Sequence, residues 1–329
     1  MVKLQKSRVQ SLLNSFRGKK ILVLGDLMLD RYLMGQVHRL SPEAPVPIVE
    51  IDAEYSRLGG AANVGNNVMA LGGIPVPVGI VGNDNSGQEL MDLMAKENFL
   101  KDGIVVAENR PTTVKTRVIA NNQHVVRTDR EIKKDLEPEL SEQVLSLLAK
   151  LIPAMDAVII EDYNKGLVTK EIIEFTVTSA RDQGKIVTVD PKFDHFFDYR
   201  NVTVFKPNRR EAAEALGMKI ENKEQVVRAA HTLFDRLGCQ CLMMTLGEDG
   251  MAIFNREREV KFIPTRARKV HDVSGAGDTV ISTITLSLVA GMELEEAATL
   301  ANFAAGVVCG EVGIVHITPE ALVEGMFNQ

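Results

Sequence analysis

Short apolar runs recur along the chain, and segments with helical spacing lie between them. Residues 20–25, 76–82, 157–160, 186–189, 202–205 and 242–246 each read as a buried strand. Residues 87–98, 138–151, 170–183 and 222–237 read as the intervening helices. A strand that is apolar on both faces needs cover on both sides. The alternation therefore predicts an α/β fold with a mostly parallel central sheet, helices on both faces and right-handed crossovers. At 329 residues and 45% apolar content the chain can fill such a core, which argues against disorder.

Two segments depart from this pattern. Residues 46–51 and 113–129 have no helical spacing and alternate polar with apolar positions. In the second, Val114, Thr116, Val118 and Ala120 alternate with Lys115, Arg117 and Ile119. Such strands suit a small sheet with one solvated face. They predict a lid inserted at about 33–58 and 111–130 into a single domain spanning 1–329.

Several function classes are disfavoured. The formal charge is −6 with both signs mixed, so no basic block marks a nucleic-acid or anionic-membrane partner. Cys239, Cys241 and Cys309 form neither a disulfide framework nor a zinc spacing, which suits a reducing compartment, and Cys239 and Cys241 read as buried thiols at a strand entry. The N-terminus reads as a short amphipathic helix without an apolar signal core. The longest apolar stretch, 280–292, is too short to span a bilayer. A soluble cytoplasmic protein is expected. No Walker A, G-x-S-x-G or H-E-x-x-H motif occurs, and no G-x-G-x-x-G follows the first strand.

In open α/β sheets ligands bind beyond the carboxyl ends of the strands, so polar residues after apolar runs are the informative ones. Asp272-Val-Ser-Gly275-Ala276-Gly277-Asp278-Thr279 precedes a long apolar helix. A small-residue turn at a helix N-terminus suits an anion, and Asp278 beside it could take a proton from a hydroxyl attacking a phosphoryl group. The helix dipole is expected to keep Asp278 ionised. Asp30 follows the first strand as a turn or cap acid or as a ligand group. Gly59 and Gly60 permit close backbone approach at a helix start, and Asn63 can donate and accept toward a sugar hydroxyl.

Glu161, Asp162, Lys165, Asp190 and Lys192 gather at two adjacent strand ends, with Asn164 among them. Burying these charges unpaired is costly, so they read as a salt-bridged rim or as partners of a polyhydroxylated or phosphorylated ligand. Asn208-x-x-Glu211 reads as a capping box, or as groups that order water around a Mg²⁺ on nucleotide phosphates. Thr245-Leu-Gly247-Glu248-Asp-Gly250 reads as a hairpin turn that could line a nucleotide cleft.

Taken together, these segments resemble the ribokinase-like carbohydrate kinases, the PfkB family. Residues 59–65 are similar to its first signature and 272–279 to its second, with Asn208-x-x-Glu211 between them. The resemblance runs from about Lys20 to the end. It implies ATP as phosphoryl donor, Mg²⁺, Asp278 as base and Gly275, Ala276 and Gly277 as the anion hole. It also implies sugar contacts from Asp30, Gly59, Gly60 and Asn63, and nucleotide contacts from Thr245, Gly247, Glu248 and Asn302. Asp272 becomes a candidate contact for a monovalent cation such as K⁺. The family's lid sheet pairs subunits, which implies a homodimer.

Residues 39–47, 112–117, 161–166 and 190–192 narrow the resemblance to bacterial heptose 7-phosphate kinases. The implied reaction phosphorylates the anomeric hydroxyl of D-glycero-β-D-manno-heptose 7-phosphate to the 1,7-bisphosphate, toward ADP-heptose and lipopolysaccharide. Lys115, Arg117, Lys165 and Lys192 are the cations that could hold the 7-phosphate. That family often carries a nucleotidylyltransferase with H-x-G-H. The motif is absent here, so a stand-alone kinase or an excised kinase domain is expected. The alternatives are a fructokinase, phosphofructokinase or nucleoside kinase of the same fold, or a non-catalytic sugar or nucleotide sensor.

Overall fold

The computed structural model describes residues 4–265, 273–311 and 315–327. Its strands in chain order are β1 (Lys20–Gly25), β2 (Leu27–Leu40), β3 (Pro47–Gly60), β4 (Ile74–Gly82), β5 (Ile104–Ala107), β6 (Thr113–Ala120) and β7 (Gln123–Arg130). They continue with β8 (Ala157–Glu161), β9 (Ile186–Asp190), β10 (Val204–Phe205), β11 (Cys241–Thr245), β12 (Met251–Phe254) and β13 (Val260–Ile263). Nine of them form one sheet in the order β13-β12-β11-β10-β9-β8-β1-β4-β5. Pairing is parallel from β11 across to β5, and β12 and β13 extend the sheet antiparallel.

Strand β1 shows why the fold needs two layers of helices. Ile21 and Val23 point into one core, and Leu22 and Leu24 into the other. The first core is closed by helices Ala61–Ala70, Ala276–Val289 and Leu294–Cys309, and the second by Pro138–Leu151, Lys170–Asp182 and Lys223–Leu237. Successive side chains of a strand alternate between faces, so a continuous apolar run is the expected signature of this burial. The expected strands of this sheet and the expected helices are all present, with ends shifted by up to two residues. No helix among the described residues is long and apolar enough to cross a membrane.

The second sheet has the order β3-β2-β6-β7 and stands apart from the first. It corresponds to the expected lid but begins earlier. β2 starts at Leu27, one residue after β1 ends, and pairs with β3 as far as Gly60. Asp30 is therefore a strand residue, not a turn acid. Exposed large apolar residues concentrate on this sheet and its connections: Leu40, Val46, Ile51, Tyr55, Val125 and Val126.

Candidate active site

Strands β1, β8 and β9 end in register, with Gly25 beside Glu161 and Glu161 beside Asp190. A Cβ at Gly25 would lie 2.1 Å from the Glu161 carbonyl oxygen, so this register requires glycine. β10 leads directly into Lys206. The N-terminus of helix Ala276–Val289 meets this edge. Gly275 caps it in the left-handed region, at φ 80°, and Asp278 sits buried in its first turn. A Cβ at Gly277 would lie 3.4 Å from Asp190 Oδ2 and 3.6 Å from Lys206 Nζ, which brings the Gly-Ala-Gly turn against the strand ends. Ala276 already donates its N–H to the Val273 carbonyl at 3.3 Å.

Asp278 accepts from Asn63 Nδ2 at 2.5 Å and from the Tyr163 hydroxyl at 3.3 Å. Lys206 Nζ lies 2.7 Å from Asp190 Oδ2, and Glu161, Asp190 and Asp278 each present a carboxylate oxygen within 4.8 Å of the others. Burial pushes Asp278 up to about 6; Asp190 adds to the rise, while Asn63, Lys206 and Tyr163 oppose it. At about 6 the group is still largely ionised at neutral pH, but desolvation at this depth, not the helix dipole, is the larger influence on it. Glu161 is driven well above the carboxylate range by burial and by Asp190 and Asp278, and its Oε2 is buried without a hydrogen-bond partner. Four carboxylates, counting Glu211, face two ammonium groups, Lys192 and Lys206. Such an excess of buried negative charge calls for a proton or a cation.

The lid contributes Asp30, whose Oδ1 accepts from Arg117 Nη1 at 2.6 Å. Gly59 lies against it: a Cβ there would be 2.5 Å from Asp30 Oδ2. Gly60, at φ 58°, ends β3 and opens the Asn63 helix. Lys115 reaches Asp129 and Glu131 at 3.3 and 3.4 Å, and Lys165 reaches Glu131 at 3.0 Å. Lys192 pairs with Glu211 at 2.6 Å. All four cations considered for a sugar phosphate thus hold carboxylates.

The five charges at the β8 and β9 ends do not form one cluster. Glu161, Asp190 and Lys192 face the Asp278 side, but Asp162 turns away. Its oxygens accept from the Asn164 N–H at 2.7 Å and from the buried Tyr199 hydroxyl at 2.7 Å. Neighbouring residues at a strand end point oppositely, and Asp162 serves the loop. Asn164 is left-handed, at φ 53°, in that loop.

Asn208 and Glu211 form a full capping box: Asn208 Oδ1 accepts the Glu211 N–H and Glu211 Oε2 accepts the Asn208 N–H, both at 2.8 Å. Lys192 Nζ donates to the other oxygen of Glu211 at 2.6 Å, so both oxygens of this carboxylate are engaged. Thr245 bridges to Asn208, and the turn Gly247–Asp249 follows. Glu248 lines an open cleft with Arg209, Val226, Leu246, Phe262 and Thr265. Asn302 lies behind this wall, its buried amide donating to the Pro264 carbonyl at 2.8 Å. Asp272 lies outside the described residues.

Four contributors had no assigned role in the sequence reading. Tyr163 and Lys206 lay inside motifs already singled out. Asp26, between β1 and β2, accepts backbone N–H groups of Tyr163 and Lys165 at 2.9 and 3.1 Å and so shapes the 163–167 loop. His316 Nε2 lies 2.9 Å from Asn63 Oδ1, a contact across 253 positions that no local pattern announces.

A buried carboxylate at a helix N-terminus, facing the carboxyl edge of a parallel sheet beside a β lid and an open cleft, is the arrangement of a small-molecule phosphotransferase. The family model for pfkB family carbohydrate kinases matches residues 18–321, and the chain belongs to that family. It is a phosphotransferase acting on a sugar hydroxyl. The bifunctional protein HldE of Pelobacter propionicus is 40% identical over 323 residues, covering 98% of this chain and 66% of that protein. The HldE of a Nitratiruptor species is 44% identical over 308 residues, covering 93% and 64%. The chain thus spans just under two thirds of the length of these relatives. Arabidopsis thaliana ribokinase, solved with ribose and ATP, shares the fold at TM-score 0.73 and 17% identity, covering 94% of this chain and 99% of the ribokinase. Escherichia coli phosphofructokinase-2, solved with potassium, does so at 0.75 and 19%, covering 94% and 98%.

Proposed function

We propose that this kinase transfers the γ-phosphoryl group of ATP to the anomeric hydroxyl of D-glycero-β-D-manno-heptose 7-phosphate. The observation that carries the reading is Asp278, buried and held by Asn63 and Tyr163 against the strand ends. Asp278 takes the proton of the attacking hydroxyl. Deprotonation is late in a loose transition state, so placing the hydroxyl matters more than base strength. Asp30, Gly59, Gly60 and the remaining N–H and lone pair of Asn63 hold the sugar. The amides of the 275–277 turn face the transferring group, and an anion there displaces the Ala276 bond to Val273. Mg²⁺ bound with the nucleotide supplies neutralising charge. Asn208 and Glu211 would hold its water once Glu211 releases Lys192, and Thr245, Gly247 and Glu248 would border the nucleotide. A monovalent cation near Asp272 belongs to the same reading.

The choice of heptose 7-phosphate rests on segments 39–47, 112–117, 161–166 and 190–192. For a sugar phosphate to bind, Lys115 and Lys165 exchange Glu131 for phosphate, and Arg117 loosens from Asp30. That existing pairing favours a second reading, a kinase for an unphosphorylated sugar. ADP release with ATP and Mg²⁺ separates them when heptose 7-phosphate, fructose 6-phosphate, ribose and adenosine are compared. Heptose 7-phosphate is expected to be turned over fastest. Turnover confined to ribose, adenosine or fructose 6-phosphate contradicts the proposal.

The lid sheet is also our proposed homodimer surface, supported by its exposed Ile51, Tyr55, Val125 and Val126. Ile51→Glu combined with Val126→Glu is expected to halve the mass measured by light scattering. An unchanged mass counts against the lid as the interface.

A further inference from the structure

We propose that His316 is a positioning residue for phosphoryl transfer: its Nε2–H fixes the side-chain amide of Asn63 so that Asn63 donates to Asp278. The proposal rests on reading Asp278 as the base. Its geometry is a three-member chain, with Nε2 of His316 2.9 Å from Asn63 Oδ1 and Asn63 Nδ2 2.5 Å from Asp278 Oδ2.

The chemistry of the three groups leaves one assignment. An ionised carboxylate only accepts, so the NH₂ end of Asn63 must face Asp278. Oδ1 then faces the imidazole, and Nε2 must carry a proton. With the amide reversed, two acceptors would meet 2.5 Å apart at Asp278, and a donor would meet the ring nitrogen's proton. Amide orientation and imidazole tautomer are thus one linked choice. The Asn63 backbone cannot compensate, because it is tied into the packing of two helices. Its carbonyl accepts from Asn67 Nδ2 at 3.0 Å, and Asn67 Oδ1 accepts from the Thr279 hydroxyl at 3.0 Å, next to the base.

The surrounding charges are compatible. Burial holds His316 below its ordinary range, with Glu97 opposing and Arg57 assisting, so the ring is neutral at neutral pH. A protonated ring would also donate from Nε2, so the chain persists across the working range. Asp278 itself faces Glu161, Tyr163, Asp190 and Lys206 besides Asn63. A hydrogen bond to the charged form of a carboxylate favours that form, so a correctly oriented Asn63 keeps Asp278 available as a base at lower pH.

Two measurements test this. ¹⁵N shifts of histidine-labelled wild-type protein, with the His316 signal assigned by its loss in His316→Gln, are expected to show the Nε2–H tautomer. The Nδ1–H tautomer would overturn the proposal without any need for an inactive variant. In His316→Leu the acid limb of kcat/KM is expected to move up by about one pH unit, equivalent to roughly a tenfold loss below the limb. Looser sugar holding by Asn63 would lower activity equally at every pH, so the position of the limb is the readout. His316→Gln, whose amide can donate to Asn63, is expected to restore the limb. An unmoved limb in His316→Leu, or an equal loss at every pH that Gln does not rescue, overturns the proposal. Asp278→Asn separates the two levels: if it keeps turnover, the base reading fails, and if it is inactive while His316→Leu is unshifted, only the positioning role fails.

Discussion

Asp278→Asn is expected to lower kcat by about a hundred- to ten-thousand-fold, the range for loss of a general base, while leaving the fold intact. The site explains both halves of this result. Asparagine keeps the size of the side chain and can still accept from Asn63 through its carbonyl oxygen, with its NH₂ donating to the Tyr163 hydroxyl oxygen, but it cannot take a proton. It also removes a buried charge. Asp278 titrates at about 6 in the folded protein, above its ordinary 3.8, chiefly through desolvation. A raised carboxylate favours folding below its unfolded pKa and loses that contribution as pH rises through about 6. By pH 7 the ionised form is disfavoured by about 3 kcal/mol relative to an unperturbed group. The asparagine variant is therefore expected to melt at or above the wild-type temperature at pH 7, while being inactive. For the wild type, kcat/KM is expected to fall about tenfold per unit below pH about 6. Near-normal turnover of Asp278→Asn would remove Asp278 from the mechanism, whereas a wild-type acid limb near pH 4 would mean that its carboxylate is less desolvated than its burial implies.

Lys206→Met is expected to be the most destabilising single change in the site. Lys206 is buried, and burial alone would lower its pKa; Asp190 and Glu161 reverse the sign and hold it raised. Removing the ammonium leaves Asp190 without its 2.7 Å partner while Glu161 and Asp278 remain close by. Breaking a buried pair in this way costs about 3–5 kcal/mol, which for a domain of this size lowers Tm by roughly 4–7 °C. The deficit should shrink at pH 5.5, because protonated carboxylates no longer need the cation. Asp190→Asn added to Lys206→Met should recover part of it. Lys206 also pulls Asp278 downward, so residual activity in Lys206→Met should show an acid limb above that of the wild type. A Tm equal to wild type at pH 7 would mean that the carboxylates are neutralised by something other than Lys206.

The sheet was legible because β1, β4, β8, β9 and β11 are buried on both faces, and a strand so placed has no choice but a continuous apolar run. The helix start at Asn208 was legible from its capping box, which is local chemistry; the box that Asn222 forms with Gln225 was not read from the sequence. The lid boundary was less so: β1 and β2 are separated only by Asp26, and the change from continuous to alternating apolar residues gives no sharp edge. Asp162 was misjudged because a run of charges at a strand end conceals the two-residue alternation that sends it to Tyr199. The partners of Lys115 and Lys165 converge on Glu131, and His316 meets Asn63, through tertiary closure that leaves no local trace. The pKa of Asp278 was out of reach for a related reason. A helix N-terminus is visible in a sequence, but the depth of burial that outweighs its dipole is not.

The most direct test of the central claim is ³¹P and ¹H NMR of the product formed from ATP and D-glycero-β-D-manno-heptose 7-phosphate. A new phosphate signal coupled to the anomeric proton, with the 7-phosphate signal retained, is the predicted result. Phosphate on any other carbon, or release of inorganic phosphate alone, would contradict it.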